Sequence, residues 1–318
     1  MDTLYIKSVG SLSYLGTSFD ELNDRIKCTK IRTPEDINST IQRAKSFNIS
    51  NVLDKVEARR VDSFIAQMMY VVDEAIVSSK IDINEFRDNC SLFTSHLNLR
   101  SGLERNLTNF TKNNRIENTF LPYNLPHMAI NFISSKYSIN GYSSSTSGGG
   151  MNSGLSALKS AYISLNNKIC DYSIVAAASG SLSDIETMSI NKANSDCFLY
   201  EGATSLFLSQ LNKGNNIAEI FFMQSGLSDC LEFEAELKKQ SDDLGINKVF
   251  LHSAKKLNTG NESTDIIHIS PRNFGLSLNG TGGLFEFLIS IIYNYSNEKC
   301  LFASYCEYSN QYFFIAFK

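Results

Sequence analysis

The sequence predicts an α/β protein made of two related halves packed as one unit. Two observations carry this. Glycine-rich segments at Ser143–Gly150 and Asn273–Gly283 each lie between a strand-like stretch and a helix-periodic run, and strand-like segments occupy both ends of the chain. A third observation sets the scale: 318 residues, 42% hydrophobic and 19% charged, is the composition of an ordinary globular protein. A chain of this length buries roughly three quarters of the surface its unfolded form exposes. It therefore needs no disulfide or metal to hold a core.

In chain order, Tyr5–Gly10 alternates loosely and ends in glycine, as a strand does. Ser18, followed three residues later by Glu21, has the spacing of a helix capping box. Between Asp62 and Ser79 the apolar residues Phe64, Ile65, Met68, Met69, Val72 and Ile76 recur at threes and fours, which predicts an amphipathic helix. Ser91–Ser95 reads as a strand and Gly102–Phe110 as a helix or loop. The Ser/Gly tract at 143–150 has the composition of a flexible linker. Against that, Met151, Leu155, Leu158, Tyr162 and Leu165 step by four, three, four and three, so a helix begins directly at the glycines. Tyr172–Ala178, closed by Ser179 and Gly180, follows as a buried strand. The second version runs from a strand at Ile266–Ile269 through the glycines to a helix over Leu284, Phe287, Leu288 and Ile291. Gln311–Phe317 is a closing strand. With only four prolines and no low-complexity linker, the halves form one structural unit.

Composition excludes several classes of function. A net charge of −4 (29 basic, 33 acidic) with no Lys/Arg cluster argues against nucleic acid. No run approaches the eighteen or so apolar residues of a membrane span, and Met1–Lys7 lacks the basic and apolar pattern of a signal peptide, so a cytoplasmic protein is expected. The Asn-x-Ser/Thr triplets, such as the one at Asn106, then reflect composition. Seven cysteines, an odd number with no CxxC pair, fit a reducing compartment and exclude zinc fingers; neither metal nor cofactor is expected. Four histidines leave few general bases. His96 and His127 read as hydrogen-bonded structural residues, while His252 and His268 flank one loop.

A glycine elbow before a helix presents backbone N–H groups suited to an anion, an oxyanion or a nucleophile. A phosphate loop would need Gly-Lys-Ser/Thr, whereas Gly154 is followed by Leu155-Ser156-Ala157. A dinucleotide fingerprint has Ser153 where its third glycine belongs. A nucleophile elbow would need Ser or Cys at an apex that here is Gly149-Gly150-Met151, which leaves Ser147 and Ser153 as conceivable nucleophiles. Both serines read more simply as a strand-end and a helix-start residue.

At these residues the chain resembles the β-ketoacyl synthase family over nearly its whole length. Glu57-Ala58-Arg59-Arg60-Val61-Asp62-Ser63-Phe64 is similar to the family's Arg-Arg-x-Asp-x-Phe helix entry, and Asp196–Ala203 to its Gly-Phe-x-x-x-Glu-Gly-Ala segment. Asn124–Gly141 resembles the helix and turn ahead of the nucleophile strand. Asn273-Phe274-Gly275 and Gly280–Gly283 resemble the Asn-Phe-Gly-His and glycine-rich segment of the second half. The resemblance implies a thiolase-like fold, two similar βαβαβ-type halves in a layered αβαβα unit, divided here as 1–217 and a shortened 218–318.

Departures from the family pattern carry the functional expectation. The nucleophilic cysteine falls on Gly150 or Met151, the helix register favouring Met151, and neither forms a thioester. The second catalytic histidine falls on Leu276, and the nearby lysine on Pro271 or Arg272. The first catalytic histidine falls on His252; without nucleophile or partner it reads as structural. The C-terminal Gly-Phe-Gly-Gly loop is replaced by Tyr305–Asn310. The resemblance then implies a non-catalytic chain-length factor of a type II polyketide or aryl-polyene synthase. Such a subunit forms a heterodimer with an active ketosynthase and meets an acyl carrier protein through that complex. It further implies an interface at Ser143, Ser144, Ser145, Thr146, Ser147 and Met128, and a tunnel end set by Leu103, Leu107, Phe110 and Phe120. Alternatively, Phe110 and Phe120 are core aromatics. The alternative functions are an acyltransferase or hydrolase using an elbow serine, and a homodimeric scaffold for an acyl chain or carrier protein.

Overall fold

The structure, a computed structural model, describes residues 3–28, 41–96, 100–116, 125, 127–147, 152–181, 199–253, 264–269, 281–294, 298–306 and 309–318. The first half contains strands β1 (Leu4–Leu12), β2 (Ile41–Gln42), β3 (Cys90–His96), β4 (Ser143–Ser147), β5 (Tyr172–Ala178), β6 (Leu199–Tyr200) and β7 (Ala203–Ser209). Its helices are α1 (Phe19–Cys28), α2 (Glu57–Arg60), α3 (Ser63–Ser79), α4 (Ile83–Phe86), α5 (Arg100–Asn113), α6 (Met128–Tyr137) and α7 (Ser153–Asn166). The second half adds β8 (Ala218–Leu227), α8 (Cys230–Leu244), β9 (Lys248–Ser253), β10 (Asp265–His268), α9 (Leu284–Tyr293), β11 (Cys300–Cys306) and β12 (Gln311–Phe317).

Local chemistry sets the helix ends. Ser18 caps α1 by accepting the Glu21 N–H at 3.2 Å, as its spacing predicts. The Glu21 carboxylate reaches back to the Thr17 N–H, one residue earlier than a reciprocal box requires. Asp62 caps α3 through the Phe64 N–H, and Lys80 in the left-handed region closes it. The half-buried carboxylate of Glu74 on α3 accepts the N–H groups of Ser11 and Phe19, pinning the turn between β1 and α1.

Ten strands form one sheet in the order β10-β9-β11-β12-β8-β1-β7-β5-β3-β4. Outward from the middle, β1-β7-β5-β3-β4 and β8-β12-β11-β9-β10 repeat one pattern. In each, the first strand in the sequence is followed by the fifth, fourth, second and third, with two antiparallel pairings and then two parallel ones. Leu4–Ile6 pair antiparallel with Ala218–Ile220 and join the halves. The duplication read from the two glycine segments is thus a duplication of topology.

Three apolar clusters define the layers. One combines β-strand faces of both halves (Val9, Phe93, Val175, Phe250, Phe302, Ile315) with α1, α7 and α9. The second covers the other face of the first half with α3 and α6, and the third packs α8 on the second half through Phe233 and Leu237. The result is the layered αβαβα arrangement. Helix α9 is buried along nearly its whole surface, as a helix sandwiched between sheets must be.

The two glycine segments meet each other. The Leu155 N–H donates to the Gly282 carbonyl at 3.0 Å. A Cβ on Gly154 would stand 2.1 Å from the Thr281 carbonyl oxygen, and one on Gly282 2.3 Å from the Gly154 nitrogen. The N-termini of α7 and α9 therefore cross at backbone distance. The linker reading of the Ser/Gly tract fails over 143–147, which pair in register with Leu92–His96 as an edge strand. No helix among the described residues is long and apolar enough to cross a membrane.

Close approach of this kind is testable. A Cβ on Gly10 would fall 1.8 Å from the Val71 carbonyl oxygen of α3. Gly10→Val and Gly154→Val should each lower the urea-unfolding free energy by about 3 kcal/mol or more. Gly214→Ala meets open space and strains only a φ of +77°, so its cost should be about 1 kcal/mol.

Candidate functional site

Strands β9 and β11 are parallel, and their register sets His252 directly beside Ser304. Alternation turns Phe250 and Phe302 toward the central layer, so His252 and Ser304, two residues on, face the same way. They meet the start of α7 and one face of α9. The Asn152 amide N–H donates to the Gln311 carbonyl at 2.9 Å, and since a carbonyl only accepts, this fixes the amide orientation. Asn152 Oδ1 then accepts the Ser304 hydroxyl at 2.7 Å. Ser304 has spent its proton, so its oxygen accepts from His252 Nδ1 at 3.0 Å, and His252 carries its proton on Nδ1. On the other side, His252 Nε2 lies 4.0 Å from Glu286 Oε1.

Every side chain in this chain of contacts is buried. Burial lowers the His252 ionisation to about 4 and raises that of Glu286 to about 7, its own backbone N–H opposing the latter. His252 is thus a neutral imidazole with one nitrogen committed to Ser304 and the other turned toward a carboxyl group. This arrangement holds a ring in place. It offers no proton donor to an incoming carbonyl.

Several residues expected at a site lie outside the described residues: Gly150, Met151, Leu276 and Phe120, together with the side chains of Ser147 and Leu103. The structure gives Leu107 and Phe110 as 52% and 47% exposed on α5, so Phe110 is no core aromatic. Ser143, Ser144, Ser145 and Thr146 form the open edge of the sheet, and half-buried Met128 begins α6 against the α3 cluster. None of these is in contact with His252. His127 is exposed. His96 is buried as expected, yet it is held by stacking on Phe64 at 4.8 Å, and its Nδ1 has no hydrogen-bond partner among the described residues. Sequence reasoning missed Asn152, Ser304 and Glu286. One signal was available for Glu286, the single acid of Leu284–Tyr293.

Two consequences are measurable. Ser304→Ala leaves His252 Nδ1 and Asn152 Oδ1 buried without their partner, and should cost about 1–3 kcal/mol in urea unfolding. Burial also lowers His96 to about 4, Asp62 opposing. A histidine held below its unfolded value favours the folded state fully above about pH 6.5, and that advantage is lost as the pH falls toward 4. The unfolding free energy of the wild type relative to His96→Phe should therefore fall through this window by up to about 3 kcal/mol.

The same scaffold recurs among known proteins. A family model described as "Beta-ketoacyl synthase, N-terminal domain" matches residues 13–197, more than half of the chain. No curated protein matches the sequence. Among solved structures, the chain is similar to one described as a type II PKS acyl-carrier protein in complex with its ketosynthase bound to the hexaketide (TM-score 0.84, 13% identity, 100% of this chain and 99% of that one). It is similar also to the ishigamide ketosynthase/chain length factor (TM-score 0.73, 12% identity, 99% of each chain). A third likeness is to a β-ketoacyl synthase from Burkholderia phymatum STM815 (TM-score 0.75, 11% identity, 100% and 99%). The duplicated topology, the layered helices and the matched residues lead to one assignment: the chain belongs to the β-ketoacyl synthase family.

Proposed function

We propose that this chain is a non-catalytic chain-length factor that pairs with an active ketosynthase and shapes the tunnel in which the partner's acyl chain grows. One observation carries the reading: its sole histidine at a family catalytic position is buried, bonded to Ser304 through Nδ1 and turned toward Glu286 through Nε2. Decarboxylative condensation needs a thiolate and histidines free to polarise a carbonyl, and Gly150, Met151 and Leu276 supply neither. The product is a polyketide or an aryl polyene, its acyl units delivered on an acyl carrier protein to the partner subunit. Residues 1–217 and 218–318 are the two halves of the subunit.

The sheet edge favours a paired partner. The Leu92 N–H bonds the Tyr142 carbonyl, so in a parallel ladder the even residues of β4 bond to β3. Ser143, Ser145 and Ser147 accordingly turn their backbone N–H and C=O groups to the open edge. Such an edge invites another strand. Leu103, Leu107, Phe110 and Phe120 are the tunnel-end residues of this reading, two of them exposed in the isolated chain.

Co-expression with a ketosynthase encoded beside it should give a heterodimer by native mass spectrometry. Ser145→Pro removes an outward donor without touching the β3 ladder, and should weaken the heterodimer about tenfold or more while leaving the circular dichroism unchanged. Malonyl-dependent condensation by the isolated chain, labelling of Ser147 or Ser153 by an acyl thioester, or a stable homodimer that ignores the ketosynthase would each overturn the proposal.

A further inference from the structure

The contacts from Gln311 to His252 run in one direction. Each hydrogen-bond donor is fixed by the next: the Asn152 amide to the Gln311 carbonyl, the Ser304 hydroxyl to Asn152, the His252 Nδ1–H to Ser304. The series ends on a bare Nε2 lone pair, which needs a donor. What faces it is a carboxyl oxygen of Glu286, 4.0 Å away on α9. Among the described residues, His252 Nε2 and Glu286 Oε2 are both buried without a partner.

We propose that Glu286 is the positioning residue of this junction: its carboxylic acid O–H donates to His252 Nε2, holding the ring as the Nδ1–H tautomer with both nitrogens engaged. A side-chain rotation that moves the acid by about 1 Å closes the gap to hydrogen-bond distance. The alternative, a carboxylate beside a neutral imidazole, would bury a charge with no counter-charge and set two acceptors against each other. Among the described residues, no Asp, Glu, Lys or Arg of the elements around them exerts a charge on either group. Burial acts on both in the same sense, toward the neutral acid and the neutral base. The inference deepens the reading of the chain as non-catalytic, because a histidine fixed in this way has no N–H to offer a thioester carbonyl.

The linkage has a definite sign. A carboxyl group held above its unfolded value contributes stability that is full below the ordinary carboxylate range and lost as the pH rises toward about 7. Above that pH the last donor of the series is gone, and the tie between α7, β9, β11 and α9 weakens.

The test uses the full chain with ¹⁵N-labelled histidine, the His252 ring being assigned by its disappearance in His252→Phe. At about pH 6 the ring nitrogens should report Nδ1 protonated and Nε2 bare. Glu286→Gln supplies an amide donor of the same shape, so it should keep that tautomer, and the Tm of the wild type relative to this variant should fall between about pH 5 and 7.5. Glu286→Leu should give a mixture of tautomers. An Nε2–H tautomer or an imidazolium in the wild type at about pH 6, or a Tm profile unchanged in Glu286→Gln, would overturn the proposal. Native mass spectrometry of Glu286→Gln with the ketosynthase separates the two ideas. A heterodimer combined with the wrong tautomer would refute the role of Glu286 and leave the chain-length-factor reading standing.

Discussion

The crossing of α7 and α9 governs the centre of the molecule. At that point Gly154 lies against Thr281 and Gly282 with no room for a side chain on either helix start. Contact at backbone distance brings both helices into a single layer, and from there each must present apolar side chains to a sheet on either side. That requirement explains why α9 is buried almost throughout and α7 over nine of its fourteen residues, and why the cluster between them draws on strands from both halves. It also places Asn152, at the start of α7, within reach of Ser304 and Gln311 of the second half. The polar contacts at the junction depend on the glycines that precede them.

In a ketosynthase-type scaffold, a helix N-terminus at this place favours a thiolate nearby, and histidines on the second half complete the chemistry. Here the same architecture is kept while the chemistry at its centre has turned inward. His252 bonds Ser304 through Nδ1, and the Glu286 carboxyl group stands 4.0 Å from its Nε2. The scaffold and the sheet edge at β4 are built from other residues than these.

Much of the fold was legible because burial on two faces leaves a strong mark. Tyr172–Ala178 and Gln311–Phe317 read as strands and are strands to the residue, and the helix at 62–79 announces its apolar face. Strand β4 was the harder case. Ser-Ser-Ser-Thr-Ser has no apolar alternation, and pairing with β3, a tertiary effect, overrides a composition that suggests a linker. The site was less legible. His252 could be placed by resemblance, but Ser304 is a neutral residue in an apolar strand, and only the parallel register of β9 and β11 shows that it neighbours His252. Glu286 was missed: it is the lone acid of an apolar helix, but nothing in the spacing connects it to a histidine 34 positions earlier.

The order of the strands also dictates a schedule for synthesis. β3, β4 and β5 are neighbours in the sheet and are complete once residue 178 has emerged. The central strand β1 has no partner until β7 arrives at Ala203–Ser209, and β8, which meets β1 over Ala218–Ile220, lacks its other neighbour until β12 follows. At ordinary translation rates of about 5–20 residues per second, β1 stays unpaired for roughly 10–40 s. Long-range pairings of this kind form slowly and leave strands exposed meanwhile. The β4 edge is therefore finished while the middle of the sheet is still open, and it stands exposed before this chain has closed upon itself.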